Sequence, residues 1–457
     1  MNKVAARAAA LLIFVLVLAA GIVFFLGEYI AGAEDWVMFS GSPHVYSAGK
    51  LGTGILADRD GTLLTDLRDG KTYSEDAALR ESVLHWTGDR LGNIYAPFMQ
   101  TYAAQLLGFD PVNGLYSYGD TCGTVTLTLS AKAQKVALEA MGDRKGTVAV
   151  YNYKTGEILC AVSTPTFDPE NVPDIENDES GRYTGVYVNR FLQSRYIPGS
   201  IFKIVTLAAA LETVPGIDSL EYTCSGTYEI GGGDVTCMER HGKQTLKEAF
   251  LNSCNCAFSQ VAEQMGREKL DRYVELMGVT DTISFDGVTT MAGNFEVVDA
   301  TPEQVAWSAI GQHKDQINPC AFLTFIGAVA GDGVGAKPYI VSEVTVGGKT
   351  TYRVDTQKTD RVVSKETAQI LREYMQNNVE NRYGSKNFPN VVVCAKTGTA
   401  EVGGGKAPNA TFAGFVADKE YPLAFVVLVE EGGYGREVCI PILSKVLQAC
   451  MDVMDGV

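Results

Sequence analysis

Histidine is scarce in this chain: there are four in 457 residues, His44, His85, His241 and His313. None stands beside a nucleophile signature, which argues against a Ser-His-Asp triad, and all four read as structural or exposed residues. Basic charge is also short. Thirty-eight Lys and Arg face fifty-four Asp and Glu, a formal net charge of −16, which argues against an electrostatic grip on nucleic acid or anionic lipid head groups. The ten cysteines are Cys122, Cys160, Cys224, Cys237, Cys254, Cys256, Cys320, Cys394, Cys439 and Cys450. They are mostly scattered singly, without Cys-x-x-Cys spacing or histidine partners, so no zinc site is expected. No internal repeat and no low-complexity linker occurs. With 46% hydrophobic residues, what remains is a globular protein long enough for about two or three domains.

Charge is missing altogether from one stretch, Ala8 to Gly27. It is apolar and about as long as a bilayer core requires of a helix. Lys3 and Arg7 precede it, and the positive-inside tendency then places the first few residues in the cytoplasm and everything after Glu28 outside. The rival reading is a cleaved signal peptide, because Ala31-Gly32-Ala33 resembles a small-residue cleavage site. The apolar core is longer than the usual signal-peptide core, so an unprocessed anchor is expected.

Beyond the anchor, Asp60-Gly61 between apolar segments predicts a hairpin over residues 54–64. Residues 65 to about 120 mix short helical and loop signals, with His85, Trp86 and Tyr95 as packing residues. Val125 to Leu129 alternates as a strand, and Ser130 caps a helix to Met141. A second hairpin turns at Tyr153-Lys154-Thr155-Gly156, and three further strands are predicted at Val391–Ala400, Phe412–Ala417 and Leu423–Glu430. Between these groups the chain is mostly helical, with a capping box at Thr301 to Gln304 and a cap at Ser364 for a helix through about Asn378. Five antiparallel strands at the ends with helices between them predict an α+β fold.

The chemistry centres on Tyr196-Ile197-Pro198-Gly199-Ser200-Ile201-Phe202-Lys203. Pro198 and Gly199 break the preceding structure and the apolar run that follows favours a helix, so Ser200 falls in its first turn with Lys203 on the same face. A lysine whose pKa is lowered by burial or a second cation can take the serine proton. Ser-x-x-Lys alone is expected about once or twice by chance in a chain of this length. Two further stretches follow in order, Ser253-Cys254-Asn255 and Lys396-Thr397-Gly398-Thr399, and the three together are far more specific.

On these motifs the chain resembles the penicillin-binding proteins, and its layout resembles the class B, monofunctional peptidoglycan D,D-transpeptidases. The stretch Gly54 to Gly61 is similar to the Gly-x-Ile-x-Asp-Arg-x-Gly that opens their extracytoplasmic part, with Leu56 and Ala57 making the fit approximate and Thr53 where an arginine often stands. The resemblance covers about residues 50 to 455. It implies a five-stranded antiparallel sheet with helices on both faces, preceded by a pedestal. The expected division is a cytoplasmic tail at 1–7, a transmembrane anchor at 8–27, a stalk and non-catalytic pedestal at 28–145 and the transpeptidase domain at 146–457. The protein is then a single-pass protein of the cell membrane with its catalytic domain extracytoplasmic.

The resemblance also implies the roles. Ser200 is the nucleophile acylated by a stem peptide ending in D-Ala-D-Ala, and Lys203 is its base, held neutral by a cationic Lys396. Ser253 relays the proton to the departing D-alanine and Asn255 holds the substrate backbone. Lys396, Thr397 and Thr399 sit on an edge strand that pairs with an extended peptide, Gly398 admits a close backbone approach, and the main-chain N–H groups of Ser200 and Thr399 receive the oxyanion. An amine from a neighbouring peptidoglycan stem completes the cross-link, and β-lactam antibiotics acylate the same serine. No cofactor and no metal is implied. A glycosyltransferase of the SEDS family is the implied membrane partner, because class B proteins lack their own polymerase.

The alternatives are a D,D-carboxypeptidase, a serine β-lactamase, a β-lactam sensor and a catalytically idle scaffold. Glu248-Ala249-Phe250-Leu251-Asn252 looks like the lactamase element that supplies a deacylating glutamate, but it precedes Ser253 instead of following that motif. Glu248 therefore reads as a helix-surface residue. Cys224 and Cys237 bracket a hairpin-like excursion and are expected to lie close enough to pair, two buried thiols being the alternative. Cys254 is expected to be buried and unpaired.

Overall fold

The computed structural model describes residues 2–37, 46–47, 50–51, 54–68, 71–94, 96–107 and 123–457. The readings placed on His44, Thr53, Tyr95 and Cys122 lie outside the described residues. The N-terminal helix is longer than the uncharged run from which it was predicted: it spans Asn2–Val37, and Lys3–Ala33 is long and apolar enough to cross a membrane. Leu11, Phe14 and Phe24 are exposed along it.

A five-stranded antiparallel sheet organises the larger part of the chain. Its order is Val393–Ala400, Asn409–Val416, Leu423–Val429, Gly146–Asn152 and Ile158–Thr164, so the sequence ends of the domain meet in its middle. Every residue of the four strands behind the edge is buried, which is why they read as continuous apolar runs instead of alternating ones. The alternation survives as a choice of core. Val148, Val150, Phe425 and Val427 pack on one side, whereas Ala149, Tyr151, Val426 and Leu428 pack on the other. Helices Ala131–Met141 and Gly435–Met454 cover the first face, and Pro319–Ala330 and Lys365–Asn378 cover the second. The predicted caps are in place: Ser130, Thr301 and Ser364 each accept a hydrogen bond from the first turn of their helix.

The hairpin at Asp60-Gly61 joins Ile55–Ala57 to Leu63–Asp66. The Asp58 carboxylate accepts from the N–H groups of Asp60 and Thr62 at 3.0 and 2.7 Å and from Ala131 N–H at 2.9 Å, tying the turn to the helix that leads into the main sheet. These strands belong to a second, six-stranded sheet whose order is Lys349–Arg353, Val341–Val346, Gly123–Leu127, Ile55–Ala57, Leu63–Asp66 and Thr72–Tyr73. Two of its strands come from residues 341–353, so the sheet crosses the boundary at 145/146 and is not a purely N-terminal unit. Strand pairing across more than two hundred residues leaves no local trace in a sequence. His85 and Trp86 are buried as packing residues, the His85 ring 2.8 Å from Val186 O and Trp86 Nε1–H donating to Ala161 O at 2.7 Å. Arg80 on helix Ala77–Thr87 grips Asp168 with two hydrogen bonds of 2.7 Å, joining that helix to the segment after strand Ile158–Thr164.

Candidate active site

Ser200 lies in a 3₁₀ turn, Gly199–Phe202, which runs directly into the helix Lys203–Thr213. Gly199 has φ 57°, and a Cβ there would stand 2.7 Å from Thr399 O, so only glycine lets this turn pack on the edge strand. A 3₁₀ turn has about three residues per turn and eclipses i with i+3. This brings Lys203 Nζ to 2.9 Å from Ser200 Oγ.

The lysine amine has three further neighbours, Ser253 O at 2.8 Å, Ser253 Oγ at 3.3 Å and Asn255 Oδ1 at 2.7 Å. Asn255 is oriented by donating Nδ2–H to Thr236 O at 2.9 Å, which turns its carbonyl oxygen toward the lysine. Ser253 adopts φ 53°, a left-handed conformation uncommon for a residue with a side chain. Lys396 Nζ approaches from the edge strand and donates to Ser253 Oγ at 2.9 Å and Thr397 O at 2.9 Å. Ser253 Oγ therefore bridges two amines, each lying over a phenylalanine ring, Phe258 for Lys203 and Phe250 for Lys396.

Burial pushes Lys203 down to about 8 from its ordinary 10.5, with nearby Cys237, Cys254 and Cys256 working weakly against it. Lys396 is lowered well below its ordinary value, first by burial and then by the charges of Lys203 and Arg382. Burial, and not the charge of Lys396, is thus what depresses Lys203. Two buried amines sharing one hydroxyl titrate as a pair.

Val393–Ala400 is the outer strand of its sheet. Gly398 is dictated by contact: a Cβ would meet Thr411 Oγ1 at 2.2 Å and both Ile201 N and Pro198 O at 3.0 Å. Thr411 Oγ1–H in turn donates to Pro198 O at 2.9 Å, fastening the serine turn to the sheet. Thr397 and Thr399 are half-buried. The structure thus gathers Ser200, Lys203, Ser253, Asn255 and Lys396 into one hydrogen-bonded group, with Thr397, Gly398 and Thr399 continuing along the strand beside it.

Two features escaped the sequence reading. The buried Tyr383 hydroxyl accepts from both Thr397 N–H and Thr397 Oγ1–H at 3.1 Å, so both donors of this residue of the outer strand are already engaged. A lone tyrosine at the end of a helical stretch carries no signal for this. The second feature corrects the expectation of no zinc-type ligand set. Cys224, Cys237, His241 and Cys254 each point one donor atom to a common spot, all within 4.8 Å of one another. The twelve, three and twelve residues that lie between them match none of the familiar spacings, because two folded hairpins bring them together. Cys224 and Cys237 are close, as expected, yet both are free thiols, as is the buried Cys254. Glu248 is exposed and caps its own helix by accepting from Thr245 N–H at 2.8 Å, a surface role.

Comparison with known proteins agrees with this geometry. The family described as the penicillin binding protein transpeptidase domain matches residues 146–448. The stage V sporulation protein D of Bacillus subtilis is 30% identical over 345 residues, covering 70% of this chain and 52% of that protein, about half its length. The peptidoglycan D,D-transpeptidase PbpA of Mycobacterium tuberculosis is 27% identical over 363 residues, 72% of each chain. Among solved structures, the D,D-transpeptidase domain of a peptidoglycan glycosyltransferase from Eggerthella lenta superposes with a TM-score of 0.76 at 26% identity, covering 89% of this chain and 99% of that one. Penicillin-binding protein A from M. tuberculosis, solved as an acyl-enzyme complex, shares the fold with a TM-score of 0.74 at 23% identity over 87% of this chain and 98% of its own. With the match covering most of the sequence and the whole five-stranded sheet, this chain belongs to the penicillin-binding protein transpeptidase family.

Proposed function

We infer that the protein is a serine acyltransferase that cross-links peptidoglycan stem peptides, a class B D,D-transpeptidase open to acylation by β-lactams. The observation that carries this reading is the placement of Lys203 Nζ, 2.9 Å from Ser200 Oγ and saturated by Ser253 and Asn255 on its other side. A neutral amine has two protons and one lone pair. Given to Ser253 O and Asn255 Oδ1, the two protons leave the lone pair facing the serine hydroxyl, which is the arrangement of a general base.

Ser200 Oγ attacks the carbonyl carbon of the penultimate D-alanine as its proton passes to Lys203. The oxyanion is received by the main-chain N–H groups of Ser200 and Thr399, a device that typically contributes about 3–4 kcal/mol. Collapse breaks the C–N bond, and the departing D-alanine nitrogen takes a proton through Ser253, which sits between the two amines. An acceptor amine then attacks the ester and Ser200 recovers its proton. Lys396 with the Thr399 hydroxyl faces the terminal carboxylate, which Thr397 can meet only by turning its hydroxyl away from Tyr383, and Asn255 faces the donor backbone. A D,D-carboxypeptidase differs only in using water as the acceptor. The β-lactamase reading is disfavoured by Glu248, whose carboxylate is spent on its own helix cap.

Incubation with labelled penicillin followed by peptide mapping tests the reading: one stable adduct on Ser200 is expected. Rapid drug turnover would favour a lactamase, and no labelling of folded protein an idle scaffold. A pentapeptide donor offered with and without an amine acceptor separates transpeptidation from hydrolysis. The Lys3–Ala33 helix supports a single membrane span, with Lys3 and Arg7 on the cytoplasmic side and the catalytic part outside; protease protection in spheroplasts tests that orientation. A SEDS-family glycosyltransferase is proposed as membrane partner on the family layout, with cross-linking followed by co-purification as its test.

A further inference from the structure

We propose that the cavity between the turn Ser385–Asn387 and the helix Gly435–Met454 is a carboxylate subsite for the acceptor stem, with Arg436 and Lys445 as the groups that bind it. It measures about 360 Å³, and its wall includes Tyr383, Asn387, Arg436, Ile440, Ser444 and Lys445; cavities of this size take a small ligand or one arm of a larger one. Arg436, Ile440 and Ser444 recur every fourth residue and so share one helix face, with Lys445 beside the last of them. The wall holds two cations and no carboxylate, in a chain of net charge −16. Two other cavities mix the signs: one sets Arg267 beside Glu263 and Glu268, and the other sets Arg372 beside Asp332. Among the described residues neither Arg436 nor Lys445 has an ion pair or a hydrogen bond. Arg382, next to Tyr383, is free in the same sense, and Glu380, two residues earlier, accepts instead from Gln376 Nε2–H at 2.7 Å.

Tyr383 joins the cavity to the active site. Its hydroxyl meets Thr397 at 3.1 Å while the same residue forms part of the cavity wall. Burial raises this hydroxyl above its ordinary value, and the Thr397 hydrogen bonds and the charges of Arg382 and Arg436 oppose the rise, so both guanidinium groups lie around this one residue. The charge of Arg382 also reaches Lys396. On the other wall, a Cβ at Gly435 would stand 2.4 Å from Gly398 O. The helix therefore starts against the motif strand, and Arg436 is its second residue. Positive groups thus continue from the catalytic strand, past Arg382, to Arg436 and Lys445.

Assignment of this cavity to the acceptor rests on the transpeptidase reading. The second half of the reaction retraces the first, so the acceptor nitrogen approaches the ester carbon from the place that the D-alanine nitrogen has left. A bond forms between that nitrogen and the carbon, the bond from the carbon to Ser200 Oγ breaks, and the proton released by the amine returns to Ser200 Oγ by way of Lys203. The leaving group lies toward Lys396 and Thr397, and the body of the acceptor extends beyond them. Thr397 is two residues from Thr399, about 7 Å along the strand, and the cavity opens past the tyrosine that touches it. A stem peptide carries its amine at the end of one side chain and free carboxylates along the neighbouring backbone. With the amine at the ester, those carboxylates fall on the side where the cations are. The planar fork of Arg436 matches a carboxylate with two hydrogen bonds, and Lys445 adds a point charge.

The test offers the full-length protein in detergent a donor pentapeptide and two synthetic acceptor tripeptides, one with its carboxylates free and one with all of them amidated, each made with lysine and with diaminopimelate as the amine-bearing residue. At low salt the free acceptor should have a KM about tenfold below that of the amidated one, the low end for a charged hydrogen bond because these cations are exposed. The difference should shrink as salt rises. Arg436→Gln and Lys445→Gln should each erase most of it, and Arg436→Lys should restore part. Equal KM values for the two acceptors, or a difference that survives both glutamine substitutions together, would overturn the subsite; the first comparison needs no variant, so a variant that fails to fold leaves it decisive. A preference that follows amidation of the donor, and not of the acceptor, would assign the cavity to the donor and overturn the proposal as well. Fluorescence anisotropy of labelled free acceptor on Ser200→Ala protein reads the cavity without any chemistry: binding about tenfold weaker after Arg436→Gln supports it, and absent or unaltered binding overturns it. Release of D-alanine with no cross-linked product from either acceptor would sink the transpeptidase reading, while Arg436-dependent binding would still establish a carboxylate site.

Discussion

Acylation by penicillin should depend steeply on pH, with Lys203 as the titrating group. Its amine is wholly buried and its pKa falls to about 8, from an ordinary 10.5. At pH about 7, such a lysine is neutral in about one molecule in ten, against about one in three thousand for an exposed lysine, so burial raises the base-competent fraction about 300-fold. The neutral form is the base, so the second-order rate constant should rise with pH, about ninefold from pH about 6 to about 7, and flatten above about 8. Lys203→Ala removes the base and should slow acylation about 10²–10⁴-fold while levelling the profile. Lys203→Arg keeps a cation at every pH and should behave likewise. Stopped-flow fluorescence with a labelled penicillin reads the rate, with Ser200→Ala as the blank and thermal melts confirming the fold at each pH. A flat wild-type profile from pH about 6 to 9, or a Lys203→Ala rate within tenfold of wild type, would refute the assignment of the base.

Gly398→Ala would press a methyl group onto Thr411 Oγ1 at 2.2 Å and the Ser200 turn at 3.0 Å; a loss of about 1–3 kcal/mol in melts and a collapse of penicillin labelling are expected. Tyr383→Phe deletes the oxygen that accepts from Thr397 N–H and Oγ1–H, leaving donors unpaired at a cost of about 1–3 kcal/mol; penicillin acylation should slow measurably alongside a lowered Tm. The Arg80 guanidinium holds Asp168 at about 2, against an ordinary 3.8. A lowered carboxylate contributes its stability above the unfolded value and loses it as pH falls toward the folded one. Unfolding by denaturant should therefore show about 1–2 kcal/mol vanishing between pH about 4 and 2, and Arg80→Ala should abolish that dependence.

Local chemistry was legible without coordinates. Ser200 and Lys203 are three residues apart, so any tight right-handed turn puts them on one face, and the structure differs only in making that turn 3₁₀. Caps at Ser130, Thr301 and Ser364 and the apolar runs of the main sheet are likewise short-range patterns, and the three motifs in order were enough to indicate the family. What distance along the chain conceals was decided by folding. Lys396 reaches Ser253 across 143 residues, and the shared burial of the two amines, which sets their proton affinity, exists only once both sheet faces are covered. The strands at 341–353 join a sheet begun near residue 55 because the exposed edge of Gly123–Leu127 needed a partner. Tyr383 acquires its hold on Thr397 only where a helix end meets the outer strand. The Cys224, Cys237, His241 and Cys254 donors share one spot because two hairpins and a helix start close around it, a convergence that no spacing of their positions encodes.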